Sequence, residues 1–336
     1  MDEIYYPSRE FSIDESMILW RGRLSFRQYI KGKKHKFGVK LYMLAEPSGL
    51  VTKILVYTGA GENSEGGLGH AGCVVHKLLQ AYGGVGHCVF MDNYFTSVDI
   101  VASLAANKML CTGTLRSYRI GNPAEVTAKK IKKGEVVEMW SDDGVCVLKW
   151  KDKREVTMIS TQHSGKLVNS VSKRKIERRV PEAVREYNKF IGGVDRLDQL
   201  LSYHITSRKT LRWYKKVALY IVQIMLLNSF QLYKMYSKGE KMSLQSFRLS
   251  IVGKLVSFGR TQENVIVSQI NTQPLEMHFP KFNPMTTKGD RRKQKNCWVC
   301  TKKGKCQQTI YYCPDCAENP PLCLENCFKE FHGRID

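Results

Sequence analysis

Seven of the eleven cysteines in this 336-residue chain fall between Cys297 and Cys327, and that crowding limits what the chain can fold into more than any other feature. The pattern is Cys297-x2-Cys300, Cys313-x2-Cys316 and Cys323-x3-Cys327, followed by His332. Paired cysteines at this spacing, with a histidine, are ligand sets for tetrahedral Zn²⁺, which takes thiolate and imidazole. The spacing fits two such ions. A segment this short has little core and is expected to fold around its metal. Disulfides are the poorer reading, because Met1-Asp2-Glu3 opens acidic and no apolar signal-peptide core follows. The other four cysteines, Cys73, Cys88, Cys111 and Cys146, stand singly in apolar segments and read as small buried hydrophobes.

Charge narrows the partner. Fifty-three Lys and Arg face 31 Asp and Glu, for a net charge of +22. Self-repulsion on that scale is tolerable in a protein whose working partner is a polyanion, and nucleic acid is the leading candidate. The apolar fraction of 43% and charged fraction of 25% are those of an ordinary folded protein. The longest apolar stretch, 217–232, is interrupted by Gln223, Asn228 and Ser229 and is too short to span a bilayer. No membrane role is expected, and the chain reads as soluble and intracellular.

The first 115 residues alternate strand and helix patterns. Phe11-Ser12-Ile13-Asp14, 39–45 and 53–57 read as strands, the last two separated by the turn Glu46-Pro47-Ser48-Gly49. Residues 71–82 have helical spacing up to Gly83-Gly84, and 98–107 repeat it. Between them Cys88-Val89-Phe90-Met91 is a continuous apolar run ending at Asp92, the pattern of a central strand buried on both faces. With 109–115 as a further strand, the order is that of an α/β fold with one mixed sheet. Residues 135–140, 145–150 and 155–159 read as a small antiparallel set. Helices follow at 181–190, 194–204 and 211–236, with a shorter one near 244–252. Residues 258–296, broken by Pro274, Pro280 and Pro284 and ending in a basic run, read as a linker.

Among so many acids, position separates a few. Asp14 closes one predicted strand and Asp92 closes the most apolar one, and acids at neighbouring strand ends can converge. Asp195 and Asp198 share one helical face, just after the Gly192-Gly193 break. Convergent carboxylates in a strongly basic chain suit two Mg²⁺ ions, which take oxygen ligands and keep positions open for phosphate and water. Such a pair supports phosphodiester cleavage and transfer. No Walker-type loop is present, since Gly59-Ala60-Gly61 is followed by Glu62-Asn63-Ser64 with no lysine.

Blocks of residues around three of these acids resemble a family. Ser12-Ile13-Asp14-Glu15-Ser16-Met17, Arg21 to Tyr29 and Lys34 to Lys40 resemble the opening of the piggyBac transposase catalytic domain. Asp92-Asn93-Tyr94-Phe95-Thr96-Ser97 resembles its second acidic motif, and Tyr187-Asn188 with Gly192-Gly193-Val194-Asp195-Arg196-Leu197-Asp198-Gln199 its third. The resemblance implies an α/β, ribonuclease-H-like catalytic core in two parts, 1–124 and 181–257, split by a strand-rich insertion at 125–180. C-terminal helices, the basic linker and a small cross-braced zinc domain at 297–336 complete it. It further implies Mg²⁺-dependent DNA cleavage and insertion at TTAA sites, with Asp14, Asp92 and Asp195 as the metal-binding triad and Asp198 as an accessory acid. Double-stranded DNA at transposon ends is the implied partner, and a homodimer is the assembly considered.

In the implied cross-brace the first and third cysteine pairs share one ion, and the second pair shares the other with His332. Cys306 is the spare cysteine for the eighth position. The family uses this domain to recognise terminal DNA; a ligase or a histone-tail reader is the chemical alternative. Arg208, Lys209, Arg212, Lys215 and Lys216, just after the acidic helix, read as phosphate contacts, while Trp213 and Tyr214 among them read as core residues. Arg291, Arg292 and Lys293, like Lys173-Arg174-Lys175 with Arg178-Arg179, read as DNA contacts or nuclear-localisation signals, against a solvated face as the plainer reading. A nuclear location is expected. Family transposases carry a substantial region before the Ser-Ile-Asp-Glu block, which this chain reaches by residue 12. A second expectation therefore stands beside the enzyme: a domesticated, non-catalytic DNA- or chromatin-binding protein that keeps the fold and the zinc module.

Overall fold

A computed structural model describes residues 4–33, 35–59, 68–171, 177–203, 210–239, 241–260, 278–287, 289 and 291–332. The chain divides into two units, 1–257 and 258–336. The first contains β1 (Glu10–Leu19), β2 (Gln28–Tyr29), β3 (Phe37–Ala45), β4 (Val51–Val56), α1 (Gly69–Leu79), β5 (Cys88–Met91), α2 (Val98–Ala106), β6 (Leu110–Thr114) and α3 (Ala124–Thr127). It continues with β7 (Val136–Trp140), β8 (Cys146–Lys151), β9 (Glu155–Ser160), β10 (Leu167–Val171), β11 (Glu177–Pro181), α4 (Glu182–Phe190), α5 (Gly193–Ser202), α6 (Trp213–Tyr236) and α7 (Leu244–Arg260).

The centre is a nine-stranded mixed sheet in the order β2-β3-β1-β5-β6-β9-β8-β7, with β4 also pairing β3. β1 pairs antiparallel with β3 on one side and parallel with β5 on the other, and β5 pairs parallel with β6. A meander followed by parallel strands across β1 matches the α/β order of the sequence pattern and the ribonuclease-H-like arrangement that the resemblance implies. The period of two along β1 explains how it serves both faces. Phe11 and Ile13 join a buried cluster with Val74, Leu78, Ile100 and Leu104 of α1 and α2. Ile18, on the other face, joins Val194, Leu197 and Leu201 of α5 and Ile224 and Leu227 of α6. With helices on both faces, β5 has no polar side, and all four of its residues are buried.

Several expectations change. The strands at 136–160 are antiparallel to one another, but β9 pairs with β6, so they extend the core sheet instead of standing apart. The hydroxyls of Thr112 and Ser160 meet at 2.8 Å across that junction, a long-range pairing that local periodicity does not reveal. Beyond them β10 and β11 form a separate hairpin that alternation alone did not disclose. α7 also runs longer than the short helix expected.

The second unit contains β12 (Lys281–Phe282), β13 (Lys295–Asn296), α8 (Trp298–Lys302), β14 (Gln308–Thr309), β15 (Tyr311–Tyr312) and α9 (Cys327–His332). The stretch 278–296 is therefore not linker: β12 pairs β15, and β13 pairs β14. Asn283 is buried there, donating through its backbone N–H to Ile310 O at 2.7 Å. Prolines and lysines read as a break because the strands they interrupt are only two residues long, with partners beyond Cys300. The part of the expected linker at 261–277 lies outside the described residues. Among the described residues, no helix is long and apolar enough to cross a membrane.

Candidate active site and metal-binding module

The sheet register brings the first two acids together. Ile13 pairs with Met91 across the parallel β1–β5 ladder, so Asp14 and Asp92 are the next residues on adjacent strands. β5 ends there because Asp92 opens a turn: its Oδ1 accepts from the N–H of Tyr94 at 2.9 Å, and its carbonyl accepts from Phe95 N–H at 3.2 Å. Asp14 shares a face of β1 with Ser12 and Ser16, the face that receives α5. That helix comes close because Gly193 has no side chain; a Cβ there would lie 2.5 Å from Glu46 O and would collide with Ser12 Oγ. Asp195 sits in the first turn of α5, and Asp198 one turn on. Asp198 Oδ1 accepts from Ser16 Oγ at 2.6 Å and from Tyr220 OH at 3.0 Å, which pins α5 to β1 and α6.

Burial pushes the Asp14 carboxyl up to about 7, with the neighbouring Glu15 and Asp195 charges adding to it. Lys33, 3.7 Å from Asp14 Oδ2, and the Glu15 N–H, 2.7 Å from Oδ1, act in the opposite direction. Asp92 and Asp198 are raised as well, chiefly by burial. Tyr187, on α4, is pushed up to about 12 by burial and by the charges of Asp92, Asp14 and Asp195, so one side chain lies in the field of all three acids. Lys40 is held between the rings of Tyr42 (4.5 Å) and Tyr94 (4.6 Å), and burial lowers its pKa. Carboxyls that resist ionisation because they are buried gain from a cation bound beside them. Their oxygens nevertheless do not pack as one close group: among the described residues, the sets of three or more ligand atoms lying within 4.8 Å of one another are two Cys/His sets.

Both sets lie in the second unit. One gathers Cys297, Cys300, Cys323 and Cys327, with Cys300 Sγ 3.4 Å from Cys327 Sγ. The other gathers Cys313, Cys316, His332 and His278. There His332 Nε2 lies 3.2 Å from Cys316 Sγ, and His278 Nδ1 lies 3.5 and 3.3 Å from the sulfurs of Cys313 and Cys316. The other ring nitrogen of His332 meets Phe328 O at 2.7 Å, the outer bond that leaves Nε2 free for a metal. Four thiolates at about 2.3 Å from one ion, or two with two imidazoles, suit these separations. Cys306 is exposed and belongs to neither set, so the eighth position falls to His278. The reason is topological: β12 and β15 pair, which carries the residues just before β12 to the second cysteine pair.

The remaining basic residues are spread. Arg208 and Lys209 lie outside the described residues. Arg212 and Lys215 are exposed, and Arg212 Nη1 donates to Tyr214 OH at 2.9 Å. Lys216 Nζ donates to Leu19 O at 3.3 Å. Trp213 packs edge-on against Phe26, as a core residue does, while Tyr214 is exposed. Arg291, Arg292 and Lys293 belong to the second unit, where the Arg292 guanidinium lies 3.9 Å over the Phe282 ring.

A family model described as Transposase IS4 matches residues 1–230, and one described as a DDE_Tnp_1-like zinc finger matches 280–333. The chain belongs to the piggyBac-type transposase family. PiggyBac transposable element-derived protein 3 of Homo sapiens is 29% identical over 321 residues, covering 91% of this chain and 53% of that protein. PiggyBac transposable element-derived protein 2 of Homo sapiens is 26% identical over 264 residues, covering 72% of this chain and 43% of that protein. This member of the family thus spans about half the length of the curated relatives it matches. The fold matches a piggyBac transposase solved by cryo-EM in a synaptic complex with hairpin DNA, with a TM-score of 0.69 and 23% identity over 96% of this chain and 70% of that one. Family membership implies a divalent metal, and the finger implies zinc.

Lys33 and His278 were not singled out from sequence, and Lys40 and Tyr187 entered only as members of the resembling blocks, with no role at the site. Each is a lone residue of a common type, and only the fold brings it to its site.

Proposed function

We propose that this chain carries out metal-dependent DNA strand cleavage and strand transfer at TTAA sites, with Asp14, Asp92 and Asp195 as the acids that hold two Mg²⁺. The reading rests on the parallel β1–β5 register, in which the residues before Asp14 and Asp92 pair, and on Gly193, whose missing side chain lets the helix bearing Asp195 lie close on β1. Bound there, paired Mg²⁺ ions would activate the attacking oxygen and stabilise the leaving one. The protein's own part is to hold charge and shape. Asp198 fixes α5 through Ser16 and Tyr220 and so positions Asp195. Lys33 offsets part of the carboxylate repulsion beside Asp14. Two zinc ions, on Cys297, Cys300, Cys323 and Cys327 and on His278, Cys313, Cys316 and His332, hold the second unit together for binding DNA near transposon ends. The net charge of +22 supports duplex DNA as the partner, reached in the nucleus, and the family resemblance supports a homodimer as the acting form.

The test is Mg²⁺-dependent excision from a donor plasmid, which demands that the scissile phosphate be held within about an ångström of its productive place. Asp14→Ala, Asp92→Ala and Asp195→Ala should each abolish cutting while DNA binding persists. Undiminished cutting by Asp195→Ala sinks the catalytic assignment. DNA binding with no Mg²⁺-dependent cutting would favour the non-catalytic reader.

A further inference from the structure

The loop that joins β6 to α3 carries two apolar side chains almost wholly in solvent: Tyr118 is 79% exposed and Ile120 93%. Single exposed hydrophobics are common and need no explanation. These two differ in how their loop is built. The N–H of Arg119 donates to Arg116 O at 3.1 Å. Asn122 Nδ2 donates to the carbonyls of Arg116 (2.8 Å) and Ser117 (3.2 Å), and Gly121, with φ at +85°, closes the turn.

Two more bonds tie this loop to the turn that holds Asp92. Arg116 Nε donates to Asn93 Oδ1 at 3.2 Å, and Arg119 Nη2 donates to Tyr94 O at 3.2 Å. Both guanidiniums are thus drawn onto the Asp92 turn, while Tyr118 and Ile120 stay in solvent. The arginines of the loop reach the acid's own turn, and its two exposed apolar groups are left to meet whatever arrives at Asp92.

We propose that Tyr118 and Ile120 form a wedge that enters the base stack of duplex DNA beside the phosphate presented to Asp92, an inference that rests on the strand-cleavage reading above. Aliphatic side chains that unstack a base step, and aromatic rings on which a freed base stacks, are recurrent means of deforming DNA. A loop already fixed by its own hydrogen bonds loses little freedom on binding. Arg116 and Arg119 flank the wedge with positive charge, which attracts the phosphates on either side of the opened step. The TA step at the centre of a TTAA site is among the most easily kinked and unstacked. A second copy of this chain fits less well, because such a contact would bring two arginine pairs and two chains of net charge +22 together.

The experiment uses the full chain and a duplex with one TTAA site, in which 2-aminopurine replaces an adenine of the TA step. Ca²⁺ stands in for Mg²⁺ so that the duplex stays whole. Binding is followed by anisotropy and unstacking by 2-aminopurine emission. Wild-type protein should raise emission severalfold on binding. The Tyr118→Ala/Ile120→Ser double variant should still bind, weakened by no more than about tenfold, with emission close to that of free duplex. Tyr118→Phe, which keeps the ring, should keep the signal, and the melting temperature of every variant should match wild type because both positions are exposed. Wild-type emission from the double variant, or wild-type binding with no rise in emission, overturns the wedge and leaves the strand-cleavage reading standing. Failure of wild type to bind DNA at all overturns both. A loss of dimer in the double variant, with emission unchanged, assigns the pair to a second copy instead.

Discussion

Asp14→Asn should stabilise the Mg²⁺-free protein near pH 8 while removing its catalysis. Burial and its neighbours lift the Asp14 carboxyl from 3.8 to about 7. At about 1.36 kcal/mol per pH unit, that lift is an upper bound of about 4 kcal/mol against the ionised form. The side chain is 18% exposed, and relaxation around the charge lowers the cost further, so about 1–3 kcal/mol is the expected size. The sign follows from proton counts. Below about pH 4 both folded and unfolded forms hold the proton, and the group costs nothing. Between about 4 and 7 the unfolded chain releases its proton while the folded one keeps it, so stability falls as pH rises. Above about 7 both are ionised, and the full penalty remains. Asparagine keeps the shape and the acceptor at Oδ1 for the Glu15 N–H, and it removes the titration. Lys33 loses its partner, but an ion pair at 3.7 Å between partly exposed groups contributes at most about 1 kcal/mol.

Urea unfolding of wild type and Asp14→Asn, with zinc retained and Mg²⁺ omitted, measures the difference between pH 4 and pH 9. Asp92 and Asp198 are also raised by burial and slope the wild-type curve, but they are common to both proteins and drop out of the difference. The two curves should meet near pH 4 and diverge to about 1–3 kcal/mol in favour of the variant by pH 8. Added Mg²⁺ should then stabilise wild type and leave the variant almost unmoved, because a ligand stabilises only the form that binds it. Parallel curves, or a variant less stable at pH 8, refute the claim that Asp14 is held as a strained carboxylate awaiting a cation.

The core was legible because its signals are local. The unbroken Cys88–Met91 run announced a strand covered on both faces, and Asp92 at its end marked where that strand must stop. Asp195 and Asp198 were legible as a pair because three residues along a helix make neighbours. What was not legible depends on contacts far apart in sequence. The β6–β9 junction joins Thr112 to Ser160, and nothing near either residue announces it. Lys33 and Lys40 are two of 53 basic residues until β2 and β3 fold beside β1. The two-residue strands of the second unit are too short to show any period, so a zinc module that begins at His278 looked like a tether. The spacing of the cysteines gave the number of ligands but not the identity of the last one.

The remaining predictions bear on packing, DNA and metal. Gly193→Ala should lower the melting temperature: alanine gains up to about 1 kcal/mol in helix propensity, but overpacking against the backbone at Glu46 costs about 1–3 kcal/mol. A variant more stable than wild type would mean that α5 is free to shift away from β1. DNA affinity should fall steeply with salt, with a log–log slope of about −0.9 per phosphate neutralised. A flat salt response would argue against phosphate contacts by the exposed lysines and arginines. The last concerns the eighth metal ligand. His278 Nδ1 stands 3.5 and 3.3 Å from the sulfurs of Cys313 and Cys316, whereas Cys306 is exposed and outside both ligand sets. Elemental analysis of the purified full chain should find two zinc ions in wild type and in Cys306→Ser, and about one in His278→Ala. The all-cysteine set does not use His278, so its zinc should stay, which separates loss of one site from collapse of the whole module. Loss of zinc from Cys306→Ser, or two zincs retained by His278→Ala, would return the eighth position to the cysteine.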